Sequence, residues 1–284
     1  RHHPCARPDR SVVRRPSGAE VSASAAAARG PRPMRYLGRD VLAARYATAR
    51  PAVHAEVLAA VLGPEPTVRR ALDVGCGTGH STEPLSAWAE AVVGCDASTV
   101  MLGQARARVP GARFVAARAE ALPFGARGFG LVTASMAFYW FDQERFLHEA
   151  ARVLAPDGLL VSYELVFPGR LDGDAAFSDW FRGVYLARFP APARDRTSLE
   201  ERLVAGGRAL RFEGRAQVEL EVVFSARELR DYLTTQSNVE AALRAGEGLE
   251  ELDAWLDAEL MRFFDGGPRR FAYRGRAETA RRVS

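Results

Sequence analysis

Apolar positions along this chain fall into two kinds of pattern that take turns. Residues 71–74, 92–96, 113–117, 131–135 and 159–164 are short, nearly unbroken apolar runs, as strands buried on both faces of a sheet require. Between them lie stretches with helical spacing. Residues 36–62 place Val53, Val57, Leu58, Val61 and Leu62 on one face before Gly63-Pro64 stops the run. Residues 81–91 and 146–154 also read as helices, as do residues 99–108, with Ser98 as N-cap. Strand and helix in alternation predict an α/β fold around a parallel sheet. Beyond residue 165 the rhythm loosens: 169–209 is irregular to helical, and 217–224 alternates with Val218, Leu220 and Val222 on one face. Helices are expected over 226–233 and 249–264, and Phe271-Ala272-Tyr273 is expected to close the sheet. No internal repeat is present.

Composition changes this picture at the ends. The chain has 284 residues, enough for one sizeable core with an added lobe, and all of its basic charge is arginine. Residues 1–33 are rich in Pro, Arg, Ala and Ser without apolar period, and are expected to be a disordered extension rather than a targeting segment, with Met34 just after them. They carry seven arginines against Asp9 and Glu20, and residues 268–282 carry six against Glu278. With a net charge of +4 overall, the remainder is acidic, which argues against a nucleic-acid partner. Cys5, Cys76 and Cys95 make no disulfide framework, so a reducing, cytoplasmic setting is expected. The longest near-apolar stretch, residues 131–141, is too short to cross a bilayer, so no membrane partner is expected.

The chemistry centres on Asp73-Val74-Gly75-Cys76-Gly77-Thr78-Gly79, a strand running into a glycine-rich turn. Exposed backbone N–H groups at such a turn receive polar and anionic ligand groups. In a Gly-x-Gly-x-x-Gly dinucleotide fingerprint the third glycine would fall on position 80, which is His80. Asp96, at the end of the second run, lies where an alternating fold sets the second strand tip beside the first turn, and its carboxylate can accept from two ribose hydroxyls or cap a loop.

Asp-x-Gly-x-Gly-x-Gly resembles motif I of the class I methyltransferases that bind S-adenosylmethionine (SAM). Four more stretches follow in that family's order. These are Asp96, then Ala119-Glu120-Ala121-Leu122-Pro123-Phe124, then Met136-Ala137-Phe138-Tyr139-Trp140-Phe141-Asp142, and Arg152-Val153-Leu154-Ala155-Pro156-Asp157-Gly158. The aromatic run is similar to the methyltransferase type 11 and trans-aconitate methyltransferase-like groups, many of which have His-Trp-Phe where this chain has Tyr139-Trp140-Phe141. Arg45-Tyr46-Ala47-Thr48-Ala49-Arg50-Pro51 resembles the lid segment of small-molecule members.

The resemblance implies a Rossmann-like seven-stranded sheet of order 3-2-1-4-5-7-6 with helices on both faces, over residues 34–284. It also implies a small substrate-covering lobe at about 169–209, which holds Trp180, Phe181, Tyr185 and Phe189. SAM would be held by Asp73, Gly75, Gly77, Gly79, Asp96, Ala97, Met101, Ala119, Glu120 and Ser135, leaving S-adenosylhomocysteine as product. Tyr46, Tyr139, Trp140 and Gln236 would face a small-molecule acceptor, with Tyr139 the candidate catalytic residue, and no metal is implied. Two departures stand out: Arg118 replaces a common Asp near the adenine and cannot accept from its amino group, and Asp157 replaces a glycine. Glu120 could instead be a surface carboxylate, as His148 and Glu149 are expected to be. Methyl transfer to O, N or C of a small molecule, with specialised metabolism one setting, is the expected function. The alternatives are an RNA or protein methyltransferase on the same fold, disfavoured by the lack of an Asn-Pro-Pro-Tyr-type motif, and a SAM-binding protein without turnover.

Overall fold

A computed structural model describes residues 40–64, 68–206 and 209–283. The extension expected at residues 1–33 lies outside the described residues. The sheet has seven strands in the order β3-β2-β1-β4-β5-β7-β6. In chain order these are β1 (Val68–Val74), β2 (Ala89–Asp96), β3 (Arg113–Ala116), β4 (Phe129–Ser135), β5 (Leu154–Val166), β6 (Leu210–Phe224) and β7 (Arg269–Arg282). The first five are parallel, and β7 runs antiparallel to both β5 and β6. This is the order that the resemblance implied.

Helices α1 (Asp40–Ala49) and α2 (His54–Leu62) divide what the pattern read as one helix, because Pro51 lacks the N–H needed to continue it. Then come α3 (Thr99–Arg108) and α4 (Gln143–Val153), followed by α5 (Ala175–Trp180), which passes through a π turn at Phe181–Tyr185 into α6 (Leu186–Arg188). The remaining helices are α7 (Leu199–Gly206), α8 (Ala226–Thr234), α9 (Ser237–Ala245) and α10 (Leu249–Leu260). Among the described residues no helix is long and apolar enough to cross a membrane.

Side-chain alternation along the strands feeds two cores. Ala71, Leu131 and Val161 face one side, and Leu72, Val132 and Leu160 the other. The first core is aromatic. Phe177, Trp180, Phe181, Tyr185 and Phe189, from the expected covering lobe, are buried with Phe224, Tyr232, Phe271 and Tyr273. Their rings serve packing rather than a ligand, and among the described residues of 169–209 Arg194 alone lines the cleft described below.

One expectation failed locally. No full helix spans 81–91: a short 3-10 turn covers Glu83–Ala87, and β2 has begun by Ala89. The Ser81 and Thr82 hydroxyls are spent on the Asp73 carboxylate, at 2.7 Å each, and Pro84 removes a donor. Helix α9 follows α8 directly and carried no clear sequence signal. The C-terminal arginines belong to β7, which extends the strand expected at residues 271–273, and Arg270, Arg274 and Arg281 pair with Glu221, Glu219 and Glu213 of β6. Such exposed pairs contribute little stability each, yet they cover one face of a long antiparallel strand pair with charge.

Candidate active site

The site begins where β1 ends. Gly75 and Cys76 donate to the Cys95 carbonyl, at 2.8 and 3.0 Å, which locks the turn against β2. Gly75 has φ +72°, and a Cβ there would lie 2.7 Å from the Ala137 Cβ, so both the conformation and the space require glycine. Gly77 donates to Asp96 Oδ2 at 2.9 Å, and Ser98 donates to Oδ1 at 2.8 Å. Each Asp96 oxygen thus accepts one backbone N–H and keeps further lone-pair capacity beside the cleft. Burial pushes this carboxyl up from its ordinary value, and the N–H groups of Ser98, Gly77 and Ala97 oppose the shift. Ser98 caps α3, whose Met101 forms part of the floor.

Asp73 differs from its expected role. It is fully buried and does not line the cleft: Oδ2 accepts from Ser81 and Thr82, and Oδ1 from Thr133 of β4 at 2.9 Å. Its part is to tie the turn to two strands. Gly79 also lies off the cleft, with φ +87°, and a Cβ there would lie 3.3 Å from Ala105 of α3. Gly75, Gly77, Asp96, Ala97, Met101, Ala119, Glu120 and Ser135 all line the cleft, and so do Tyr46, Tyr139, Trp140 and Gln236.

Farther along the cleft, Glu120 pairs with Arg118 at 3.2 Å and accepts from the Asp142 amide at 3.1 Å. Glu149, expected on the surface, instead holds the neighbouring segment. It accepts from the Leu122 amide at 2.7 Å, and Arg152, paired with it at 2.7 Å, donates to the carbonyls of Leu122 and Phe124. His148 is exposed, as expected.

The aromatic run leaves β4 through Met136, a non-glycine residue at φ +53°. Such a backbone conformation persists only where the surroundings hold it. A 3-10 turn at Phe138–Trp140 follows, and Asp142 caps α4. Tyr139 is 7 % exposed, packs 5.3 Å from Trp140, and burial raises its phenol above the ordinary value. Arg194 lies over both rings. On the opposite wall, Arg50 covers the Tyr46 ring at 4.3 Å and donates to the Thr235 carbonyl at 2.7 Å. Helix α1 is fastened there by Arg45, bidentate to Asp253 of α10 at 2.6 and 2.7 Å.

A second, smaller cavity opens behind the turn, between Arg50, His54, Thr78, His80 and Ser135. His54 Nδ1 is 2.9 Å from the Tyr163 hydroxyl, and His80 Nδ1 is 2.8 Å from the Thr78 hydroxyl. Burial, reinforced by nearby arginines, lowers both imidazoles to about 3, so both are neutral at ordinary pH. Sequence reasoning passed over Arg50, His54 and Arg194. Arg50 lies in the 45–51 stretch without a role of its own there, His54 and Arg194 lie in no motif, and each becomes a site residue through contacts across the fold. Among the described residues no cluster suits a metal ion.

A cleft along the carboxyl ends of β1, β2 and β4, with an acid at the second strand tip, is where open α/β sheets bind ligands. With the strand order above, the fold is that of the class I methyltransferases. Residues 72–162 match the family model described as a methyltransferase domain, in agreement with the resemblance read from the motifs. The chain is 36 % identical over 135 residues to an uncharacterized methyltransferase of Mycobacterium tuberculosis, covering 47 % of this chain and 53 % of that one. It is 37 % identical over 119 residues to a trans-aconitate 2-methyltransferase of Variovorax paradoxus, covering 41 % and 45 %. The chain therefore spans about half the length of the curated relatives it matches. Among solved structures, an assigned type II methyltransferase from Anaeromyxobacter dehalogenans aligns with TM-score 0.64 at 24 % identity, over 82 % of this chain and 97 % of that one. An assigned methyltransferase of Bacillus halodurans aligns at 0.51 and 20 %, over 82 % and 100 %.

Proposed function

We propose that this protein transfers the methyl group of SAM to an oxygen, nitrogen or carbon nucleophile of a small molecule. The observation that carries the reading is the cleft itself. One end is backbone and carboxylate, from Gly75, Gly77 and Asp96, and the other is aromatic and cationic, from Tyr139, Trp140 and Arg194. The residues fit the cofactor: the turn has no side chains in the way, and Asp96 has spare lone pairs for two ribose hydroxyls. Ala119 offers its backbone and Met101 an apolar side chain to the adenine. Glu120 is half committed to Arg118 and the Asp142 amide, so it assists rather than anchors. Arg50 shares the second cavity with the glycine turn and is the cation placed to meet the amino-acid carboxylate.

When bound, SAM supplies an electrophilic sulfonium methyl, so the protein's task is alignment and exclusion of water. Tyr139 is suited to that task. Its buried phenol is held protonated, so it orients an acceptor by a hydrogen bond and does not act as a base. The test has two parts. Calorimetry should register SAM and S-adenosylhomocysteine on the wild type. Release of S-adenosylhomocysteine should then rise when small-molecule extracts are supplied, and binding without any turnover would favour a SAM-binding protein instead.

A further inference from the structure

The arginines lining the cleft are not equivalent. Arg118 is neutralised by Glu120, and Arg50 belongs to the glycine-turn side. Arg194 comes from the coil between α6 and α7, and its guanidinium lies 4.7 Å over the Tyr139 ring and 4.6 Å over the Trp140 ring. It donates through Nη2 to the Ser237 hydroxyl. Among the described residues no carboxylate lies within ion-pair distance of it, and its Nε is buried without an acceptor. Glu164, on β5, feels its charge at longer range, but burial pushes that carboxyl toward the neutral form. A cation held half out of water without a counter-ion is costly, and two aromatic faces compensate only part of the loss.

The same corner holds Gln236 and Ser237, the N-cap and first residue of α9, and Gln236 has no side-chain bond to its own helix. That helix end adds partial positive charge beside Arg194. Met136, Ala137 and Phe141 line the cleft between this corner and the glycine turn, giving an apolar bed for an organic body. We propose that the methyl acceptor carries a carboxylate, received by Arg194 together with Gln236 and Ser237. This inference rests on the methyl-transfer reading above. A single unpaired guanidinium balances one negative charge, which favours a carboxylate over a dianionic phosphate ester. The carboxylate is a recognition group; methyl transfer falls on whichever nucleophile it positions beside Tyr139.

Calorimetry tests this in order. S-adenosylhomocysteine is titrated first, and failure to bind would overturn the methyl-transfer reading and this inference with it. The saturated protein is then titrated with benzoate, cinnamate and sorbate, each beside its primary amide, and with phenyl phosphate. At least one carboxylate should bind about tenfold or more tighter than its amide, the effect of one charge-assisted contact. Arg194→Met should abolish that preference while S-adenosylhomocysteine still binds as in the wild type, which certifies the fold, and Arg194→Lys should restore part of it. The proposal is overturned if no carboxylate outbinds its amide, if the preference survives in Arg194→Met, or if phenyl phosphate binds tightest.

Discussion

The two ends of the cleft are built by different means. The cofactor end is local: Gly75 to Asp96 spans a single strand-turn-strand unit, and its decisive bonds run from backbone amides to one carboxylate. The acceptor end gathers Tyr46, Tyr139, Arg194 and Gln236 from four distant places in the chain, and holds them by ring stacking and long-range side-chain bonds. A locally built end tolerates change elsewhere and admits little change in itself. A gathered end can be re-specified by single substitutions, which is what a shared cofactor with varied acceptors demands.

The sharpest break between the two ends should come from Asp96→Ala. Losing two ribose bonds to a charged acceptor costs about 2–3 kcal/mol, so SAM should bind about 30–150-fold more weakly by calorimetry. Unchanged affinity would mean the ribose lies elsewhere. At the other end, Tyr139→Phe should lower turnover about 10–100-fold with SAM affinity intact, as expected from about 1.4–2.8 kcal/mol of lost positioning. Full activity in that variant, with a large loss in Tyr139→Ala, would leave the ring as a wall and the hydroxyl without a role.

The histidines behind the turn add a pH test of how rigidly the cofactor end is held. Their folded values, about 3, lie below the unfolded 6.5, so between those limits the unfolded chain binds more protons and stability falls as pH falls. At pH 5.5 each should cost about 1.4 kcal/mol relative to neutral pH. Asp73 and Asp96, whose values are raised, act in the opposite direction. Urea melts at pH 7.5 and 5.5 of wild type and of His54→Gln isolate the histidine part, and an equal pH loss in both would show His54 to be protonated in the fold. The smallest effect is expected from Glu120→Gln. The amide oxygen can still accept from Asp142, so SAM affinity should change by no more than about threefold; a larger loss in calorimetry would move Glu120 into the main adenine contact.

The glycine turn, Asp96 and the aromatic run were legible because each is a short contiguous motif, and the strand order was legible only through the resemblance those motifs carry. Asp73 was legible as part of the motif and misleading as a ligand: a carboxylate beside glycines looks the same whether it turns to the cleft or to Ser81, Thr82 and Thr133. A strand at residues 271–273 was legible, and only the pairing of β7 with β6 gave the arginines around it their glutamate partners.

What the sequence determined by itself was the alternating sheet and the end of it that binds, since hydrophobic period and glycine conformation act over a few residues. Only the tertiary structure decided which polar groups meet. The bond from Arg50 to the Thr235 carbonyl, the seating of Arg194 on Tyr139 and Trp140, and the burial that keeps His54 and His80 neutral all depend on segments tens of residues apart. Desolvation and charge act through space, and no spacing along a chain records them.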